Sequence, residues 1–320
     1  MTLLAKFPES CLHHAVQDLD PATPHLAHDA GNLTEPAYLR GMVSVVVPAH
    51  NEARVVGRLL GQLVPAGAPA DVDVIVVANG CTDDTAGIAG RYGPRVRVVS
   101  IPVPSKREAL LAGDRAAAGF PRIYVDADVE IGPADIRALA DVLSRPGALA
   151  AAPERVLDLS GTSWLVRWYY DVWARLPEVR GGLFGRGVIA LSEAGHARVA
   201  SLPPLLADDL AASLVFAPDE RVIAPAARVV VHVPRTAGDL LRRRVRAAMG
   251  VNQVEQAEGG PGASARTRPR DLLALVRAKP WLAPRVAVFL AVAVAARRRA
   301  RREVRRNQYS TWLRDESSRG

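Results

Sequence analysis

The first half of the chain alternates short strand-like runs, apolar on both faces, with segments of helical period. Val43–Val47 stops at Pro48, after which Val55, Val56, Leu59, Leu60 and Leu63 recur on one side of a helix spanning about 54–63. Val72–Val77 ends at Asn79-Gly80, and Thr82-Asp83-Asp84-Thr85 leads into a short helix. Val96–Ile101 precedes a helix from about Arg107 to Ala118, and Ile123–Val125 precedes one from about Ala134 to Leu143. Strands of this kind, separated by helices, predict an α/β fold with a mostly parallel sheet covered on both faces. No G-x-G-x-x-G follows any of these strands, which argues against a dinucleotide-binding dehydrogenase or a Walker phosphate loop.

Three of the four early strands run into polar residues at the same edge of that sheet: Asn51-Glu52, Asn79 to Asp84, and Asp126 with Asp128. In open parallel sheets the ligand crevice lies outside the carboxyl ends of the strands. If residues 126–128 are extended, both carboxylates face one site. Two carboxylates that close resist ionising together, and a divalent cation removes the conflict. All-oxygen ligation suits Mn²⁺ or Mg²⁺, ions that also take phosphate oxygens. The plain alternative is that Asp128 caps a turn and Asp126 is solvated.

Past residue 150 the pattern is sparser. Ser163–Leu176 reads as a helix carrying Trp164, Trp168 and Trp173, with at least two of them expected in the core. Val188–Leu191 and Ala227–Val233 read as strands, and a helix is expected from Asp208-Asp209 to about Leu214. Asp239–Ala257 reads as a basic helix, and residues 258–270 as a linker. Residues 1–41 lack periodicity and read as a poorly ordered extension; Met42, directly before the first strand, is a candidate translation start.

Charge is uneven along the chain. Residues 236–320 hold 19 of the 41 Lys and Arg but only 7 of the 33 Asp and Glu, a net of +12 against −4 for the remainder. The basic tail, residues 271–320, includes an uncharged run Val286–Ala296 between Arg285 and Arg297. At eleven residues that run reads as too short to span a bilayer and suited to an anionic membrane surface. No nucleic-acid motif accompanies the charge, so nucleic acid is not an expected partner. Cys11 and Cys81 form neither a disulfide framework nor a zinc pattern, which fits the cytoplasm, with the protein peripheral on the inner face of the membrane if the tail binds there.

The segments "VSVVVPAHNEARVVGRLLGQL", "VDVIVVANGCTDDTAGIA", "SKREALLAGDRAA" and "IYVDADVEI", in this order, resemble family-2 glycosyltransferases of the GT-A fold over roughly residues 43–250, within a domain expected at 42–257. The resemblance implies a nucleotide-sugar donor, a divalent metal and inverting transfer to a saccharide, lipid-linked or small-molecule acceptor. It places Pro48, Ala49, Asn51 and Glu52 in a first nucleotide-contacting loop and Asn79 and Asp83 in a second. It makes Asp126 and Asp128 the metal motif. Where the family often has two acidic residues at the end of the second strand, this chain has Ala78 and Asn79, which leaves UDP and GDP open.

Asp208-Asp209 resembles the family's acidic pair, with Asp209 favoured as the base that deprotonates the acceptor and the other residue free to cap a helix. His232 resembles a late histidine that ligates metal in some GT-A enzymes; a hydrogen-bonded core histidine is the equal alternative. Arg244 or Arg246 can neutralise diphosphate, or belong to a solvated helix face. Lys106 can contact phosphate or simply be exposed. A metal-dependent nucleotidyltransferase and a non-catalytic nucleotide-binding scaffold of the same fold are the rival readings.

Overall fold

A computed structural model describes residues 42–67, 71–201, 213, 215–257 and 267–305, without side chains at 250–257 and 304–305. The first strands are β1 (Val43–Ala49), β2 (Val72–Asn79), β3 (Val96–Ile101) and β4 (Arg122–Val125). They pair in parallel in the order β3-β2-β1-β4. The chain therefore winds from β1 outward to β3, then crosses back to β4 on the other side of β1. That reversal opens a crevice at the carboxyl ends of β1 and β4. α1 (Val56–Leu63), α2 (Thr85–Gly90), α3 (Lys106–Ala116) and α4 (Pro133–Leu143) make the covering layers. α1 buries Val56, Leu59, Leu60 and Leu63, the side expected from its period. Val45 and Val47 of β1 belong to one core cluster and Val46 to another, so the strand is buried on both faces.

Beyond β4 the sheet becomes mixed. β5 (Val129–Glu130), β6 (Ala150–Asp158), β7 (Val188–Leu191) and β8 (Arg221–His232) complete the order β4-β7-β6-β8-β5. β7 runs antiparallel to both β4 and β6, and β5 antiparallel to β8. β8 is parallel to β6, and the pairing shifts register at Pro153/Glu154, where a proline cannot donate to the ladder. β8 starts six residues earlier than the Ala227–Val233 run suggested. Short helices α5 (Trp164–Trp173), α6 (Pro177–Gly181) and α7 (Glu193–Ala200) lie between these strands.

The aromatic residues of α5 divide differently from the expectation. Val166, Tyr169, Tyr170 and Trp173 occupy one face at i, i+3, i+4 and i+7 and are buried, whereas Trp164 is exposed and Trp168 half-buried. Only Trp173 of the three tryptophans is core, because the other two sit off that stripe.

The C-terminal helices are α8 (Ala237–Ala257), α9 (Pro269–Ala278) and α10 (Ala283–Arg305). α9 begins inside the expected linker, with Pro269 at its first position, where a missing N–H costs nothing. Leu240, Leu272, Val286 and Phe289 share one buried cluster with the inner face of α5. Phe289 stacks on Tyr169 at 5.0 Å between ring centroids, and Arg285 pairs with Asp171. The tail is thus packed onto the body through α5 and α8. The eleven-residue run also understates the helix: by length and composition alone Pro280–Glu303, 24 residues, is apolar enough to cross a membrane.

Candidate functional site at the carboxyl edge of the sheet

The loops after β1 and β2 are tied together by short polar bonds. Asn51 is the one non-glycine residue with positive φ among the described residues, at 51°. Asparagine tolerates this left-handed region better than most residues. Its side-chain oxygen accepts from the Thr82 amide at 2.7 Å and from the Thr82 hydroxyl at 3.3 Å. The Glu52 amide donates to Thr85 Oγ1 at 2.8 Å and the Ala53 amide to Asp83 Oδ2 at 3.1 Å. Asp83 Oδ1 accepts from the Thr85 amide at 3.1 Å and the Thr85 hydroxyl at 2.5 Å. Burial raises the Asp83 carboxyl, but the hydrogen bonds from Thr85 and Ala53 outweigh it and hold the group below its ordinary value. Asp83 and Asn51 therefore shape the two loops that the sequence assigned to nucleotide contact. His50 Nδ1 donates to the Asn79 carbonyl at 2.6 Å, fixing the end of β1 to the end of β2.

Asn79, the last residue of β2, is 1% exposed, and its amide nitrogen has no hydrogen-bond partner among the described residues. An unmade bond on a buried donor costs about 1–3 kcal/mol. Pro48 is half-buried and Ala49 fully buried at the end of β1.

Asp126 and Asp128 follow β4, but residues 126–128 form a turn instead of the extended segment assumed from the sequence. The reason is that β4 and β5 belong to different ladders: β4 pairs with β1 and β7, β5 with β8. The Val129 amide reaches back to the Asp126 carbonyl at 3.4 Å. The Asp126 amide donates to the Gly187 carbonyl at 2.7 Å, continuing the β4–β7 pairing. Lys106, capped into the start of α3 by Ser105, places its ammonium 2.8 Å from Asp126 Oδ1. Lys106 thus reaches the metal motif itself, a contact that neither of its sequence readings included.

Gly187 presses directly on this corner. Its φ is +67°, and a Cβ there would sit 2.5 Å from Val129 Cγ1 and 3.4 Å from Asp126 Oδ2. The segment carrying it is held by two arginines that the sequence reading did not single out. Arg186, 3% exposed, donates to the carbonyls of Gly182 at 3.0 Å, Pro153 at 2.8 Å and Arg180 at 2.8 Å. Arg155 donates to the carbonyls of Gly185 at 3.0 Å and Val179 at 3.1 Å and stacks over Trp173. Burial pushes Arg155 down to about 9 and Arg186 to about 10. In the sequence only the glycines at 185 and 187 set this segment apart, and in the structure both have positive φ.

A charged group lies beside the corner. Glu130 accepts from Gln62 at 2.6 Å, from His232 Nε2 at 2.7 Å and pairs with Arg58 at 3.2 Å. His232 Nδ1 meets Asp158 Oδ2 at 2.9 Å. Burial raises the Glu130 carboxyl, and the bonds from Gln62 and His232 more than compensate, so it lies below its usual range. Both His232 nitrogens thus meet carboxylates in this arrangement, the hydrogen-bonded alternative of the two sequence readings. Arg244 lies over the Tyr169 ring at 5.9 Å and Arg246 is exposed. Asp208 and Asp209 lie outside the described residues.

The corner fits an oxygen-bound divalent cation that brings ligands of its own. Among the described residues no three His, Cys, Asp or Glu side chains converge on a metal position, which leaves no closed cage. Asp126 is half-exposed and already accepts a cationic group from Lys106. Mn²⁺ or Mg²⁺ held by one or two carboxylates plus substrate phosphate has these requirements.

Residues 44–190 match the model of glycosyl transferase family 2. An uncharacterized glycosyltransferase of Mycobacterium tuberculosis is 33% identical over 142 residues, 42% of this chain and 62% of that protein. The 4,4'-diaponeurosporenoate glycosyltransferase of Staphylococcus aureus is 41% identical over 54 residues, 17% of this chain and 14% of that one. The chain therefore spans less than two thirds of the length of these curated relatives. Among solved structures, the mannosyltransferase PcManGT from Pyrobaculum calidifontis, in complex with GDP-Man and Mn²⁺, superposes with a TM-score of 0.55 at 22% identity, over 88% of this chain and 85% of that one. Glucosyl-3-phosphoglycerate synthase from M. tuberculosis, in complex with Mn²⁺, UDP and glucosyl-3-phosphoglycerate, gives 0.50 at 23% identity, over 69% and 81%. The α/β architecture expected from the sequence is thus the GT-A fold of these enzymes.

Proposed function

We propose that this chain, whose residues 44–190 are a family-2 glycosyltransferase domain, transfers a sugar from a nucleoside-diphosphate sugar to an acceptor hydroxyl with inversion. The observation that carries the reading is the convergence at one sheet edge of the Asn51–Glu52 loop, the unsatisfied Asn79 amide and the Lys106–Asp126 pair. A nucleotide in this crevice lies against loops whose backbone is fixed by Asn51 and Asp83, and the Asn79 amide offers a polar group with a hydrogen bond still to make. Asp126 and Asp128 would hold Mn²⁺ or Mg²⁺, which when bound offsets the charge that builds on the departing diphosphate. Lys106 adds a second positive group at the same place. Asp209 takes the proton from the acceptor hydroxyl as it attacks the anomeric carbon from the face opposite the nucleotide. GDP-Man, present in the PcManGT complex, and UDP-Glc, present in another complex of glucosyl-3-phosphoglycerate synthase, are the first sugar nucleotides to test.

Binding should be read before turnover. Titration calorimetry with UDP-, GDP- and dTDP-sugars, with and without Mn²⁺, should find one class whose affinity rises with the metal. Asp126→Asn should remove that metal dependence. Asp209→Asn should keep donor binding and lose transfer. Binding of no sugar nucleotide by the folded protein would overturn the reading.

A further inference from the structure

α10 has two unlike faces. Val286, Phe289, Ala296 and Ala300 are buried against α5 and α8. A second stripe to one side of these, Ala283, Ala287, Leu290 and Val294, recurs at helical period and is exposed. At 1.5 Å per residue this stripe is about 17 Å long. It continues into Arg297, Arg298 and Arg301, with Arg299 and Arg302 beside them, all exposed. At the other end stand Trp281, 64% exposed, Leu273, 50% exposed, and Lys279. Leu290 and Val294 are 45% and 43% exposed. A monomer in water gains nothing from such an apolar stripe between cations.

We propose that this face docks the protein on an anionic lipid bilayer, with α10 lying in the interface. Leu290, Val294 and Trp281 would enter the headgroup–acyl boundary, and the arginines would meet acidic headgroups. Charge decides between this occupant and a second copy of the chain. A parallel pair would oppose two arginine blocks; an antiparallel pair would cover each block with the other's apolar stripe, desolvating the guanidinium groups without partners. A spanning helix is disfavoured because the inner face is engaged: Phe289 stacks on Tyr169 and Arg285 pairs with Asp171, and crossing the bilayer would strip both contacts. This inference does not rest on the catalytic reading, since binding to lipid needs neither donor nor acceptor.

The test is flotation of the full chain, without sugar nucleotide, with vesicles of phosphatidylcholine alone or mixed 7:3 with phosphatidylglycerol at 0.1 M salt. Each arginine near an anionic surface contributes about fivefold in affinity, so the mixed vesicles should bind at least tenfold better. Leu290→Glu with Val294→Glu should lower that binding by about 100-fold or more while leaving the circular dichroism and melting temperature unchanged, because both side chains are exposed. Arg297→Gln, Arg298→Gln and Arg301→Gln together should remove the preference for the acidic lipid. Alkaline carbonate should release the bound protein. The proposal is overturned by failure of the folded wild type to float, by unchanged flotation of the double Glu variant, or by resistance to carbonate, which would mean a spanning helix. A dimer that the double Glu variant dissociates, or equally tight binding to duplex DNA lost in that same variant, would assign the face elsewhere.

Discussion

Gly187→Ala should be the most informative single change at the carboxyl edge. Two separable costs arise. An alanine at φ +67° enters the left-handed region at about 1–2 kcal/mol. Its Cβ would also stand 2.5 Å from Val129 Cγ1, and Val129 is 2% exposed and paired to Val231 of β8, so it has little room to yield. Overpacking of this kind costs about 1–3 kcal/mol. Gly147, φ +84°, has nothing within 4 Å of its Cβ position, so Gly147→Ala isolates the backbone cost. Urea unfolding followed by tryptophan fluorescence should give about 2–5 kcal/mol for Gly187→Ala and about 1–2 kcal/mol for Gly147→Ala. The new methyl also crowds Asp126 Oδ2 at 3.4 Å, so metal-dependent donor binding should weaken in the first variant only. Equal destabilisation of the two variants, within about 0.5 kcal/mol, would refute the close contact between the β7 approach and the Asp126 corner.

Three further outcomes follow from the same geometry. Asn51→Gly should cost less stability than Asn51→Ala, by about 1–2 kcal/mol in parallel melts, since both lose the Thr82 bonds but only alanine is strained at φ 51°. Lys106→Met should tighten Mn²⁺ binding without nucleotide by about two- to fivefold, read from the electron paramagnetic resonance of free Mn²⁺, because the half-exposed ammonium competes for Asp126. The third concerns Asp114, which accepts from Arg122 at 2.8 Å and Tyr124 at 2.7 Å and faces His196 at 3.3 Å. Burial raises its carboxyl, yet the bonds from His196, Tyr124 and Arg122 prevail and lower it. Its stabilisation is therefore complete above the ordinary carboxylate range and lost as pH falls through the depressed value. Asp114→Asn should cost about 2–3 kcal/mol at pH 7, because Arg122 stays buried without its carboxylate, and the loss should shrink in urea melts taken at progressively lower pH.

The parallel half of the sheet was legible because β-branched runs and helical spacing both report directly on local backbone. Val43–Val47 and Val55–Leu63 needed no partner to be read. β6 was not legible: Ala150-Ala151-Ala152-Pro153 has little strand propensity, and the segment is a strand because β7 and β8 flank it. The same limit applies to the turn at Asp126–Asp128. Alternation along an extended chain was a fair local inference, but the change of ladder partner between β4 and β5 is a tertiary fact. Aromatic spacing on α5 misled for a related reason: period gives a stripe, and only packing says which stripe faces inward.

The polar residues teach the complementary lesson. Asn51 and Asp83 were legible as members of the site, but the atoms they offer are spent on Thr82, Ala53 and Thr85. A loop that must meet a ligand with backbone atoms needs such internal bonds, since otherwise ordering it costs entropy at the moment of binding. Arg155 and Arg186 do the same work for residues 179–187 by donating to backbone carbonyls, with no carboxylate hydrogen-bonded to either guanidinium among the described residues. An arginine in a sequence reads as surface, and burying one with carbonyl partners alone is unfavourable unless it fixes something else. What these two fix is the segment that brings the Gly187 carbonyl to the Asp126 amide. The position of the candidate metal carboxylate is therefore set from β6 and the 179–187 segment as much as from β4. A change at Arg186 should thus weaken metal-dependent donor binding without touching any residue that meets the donor.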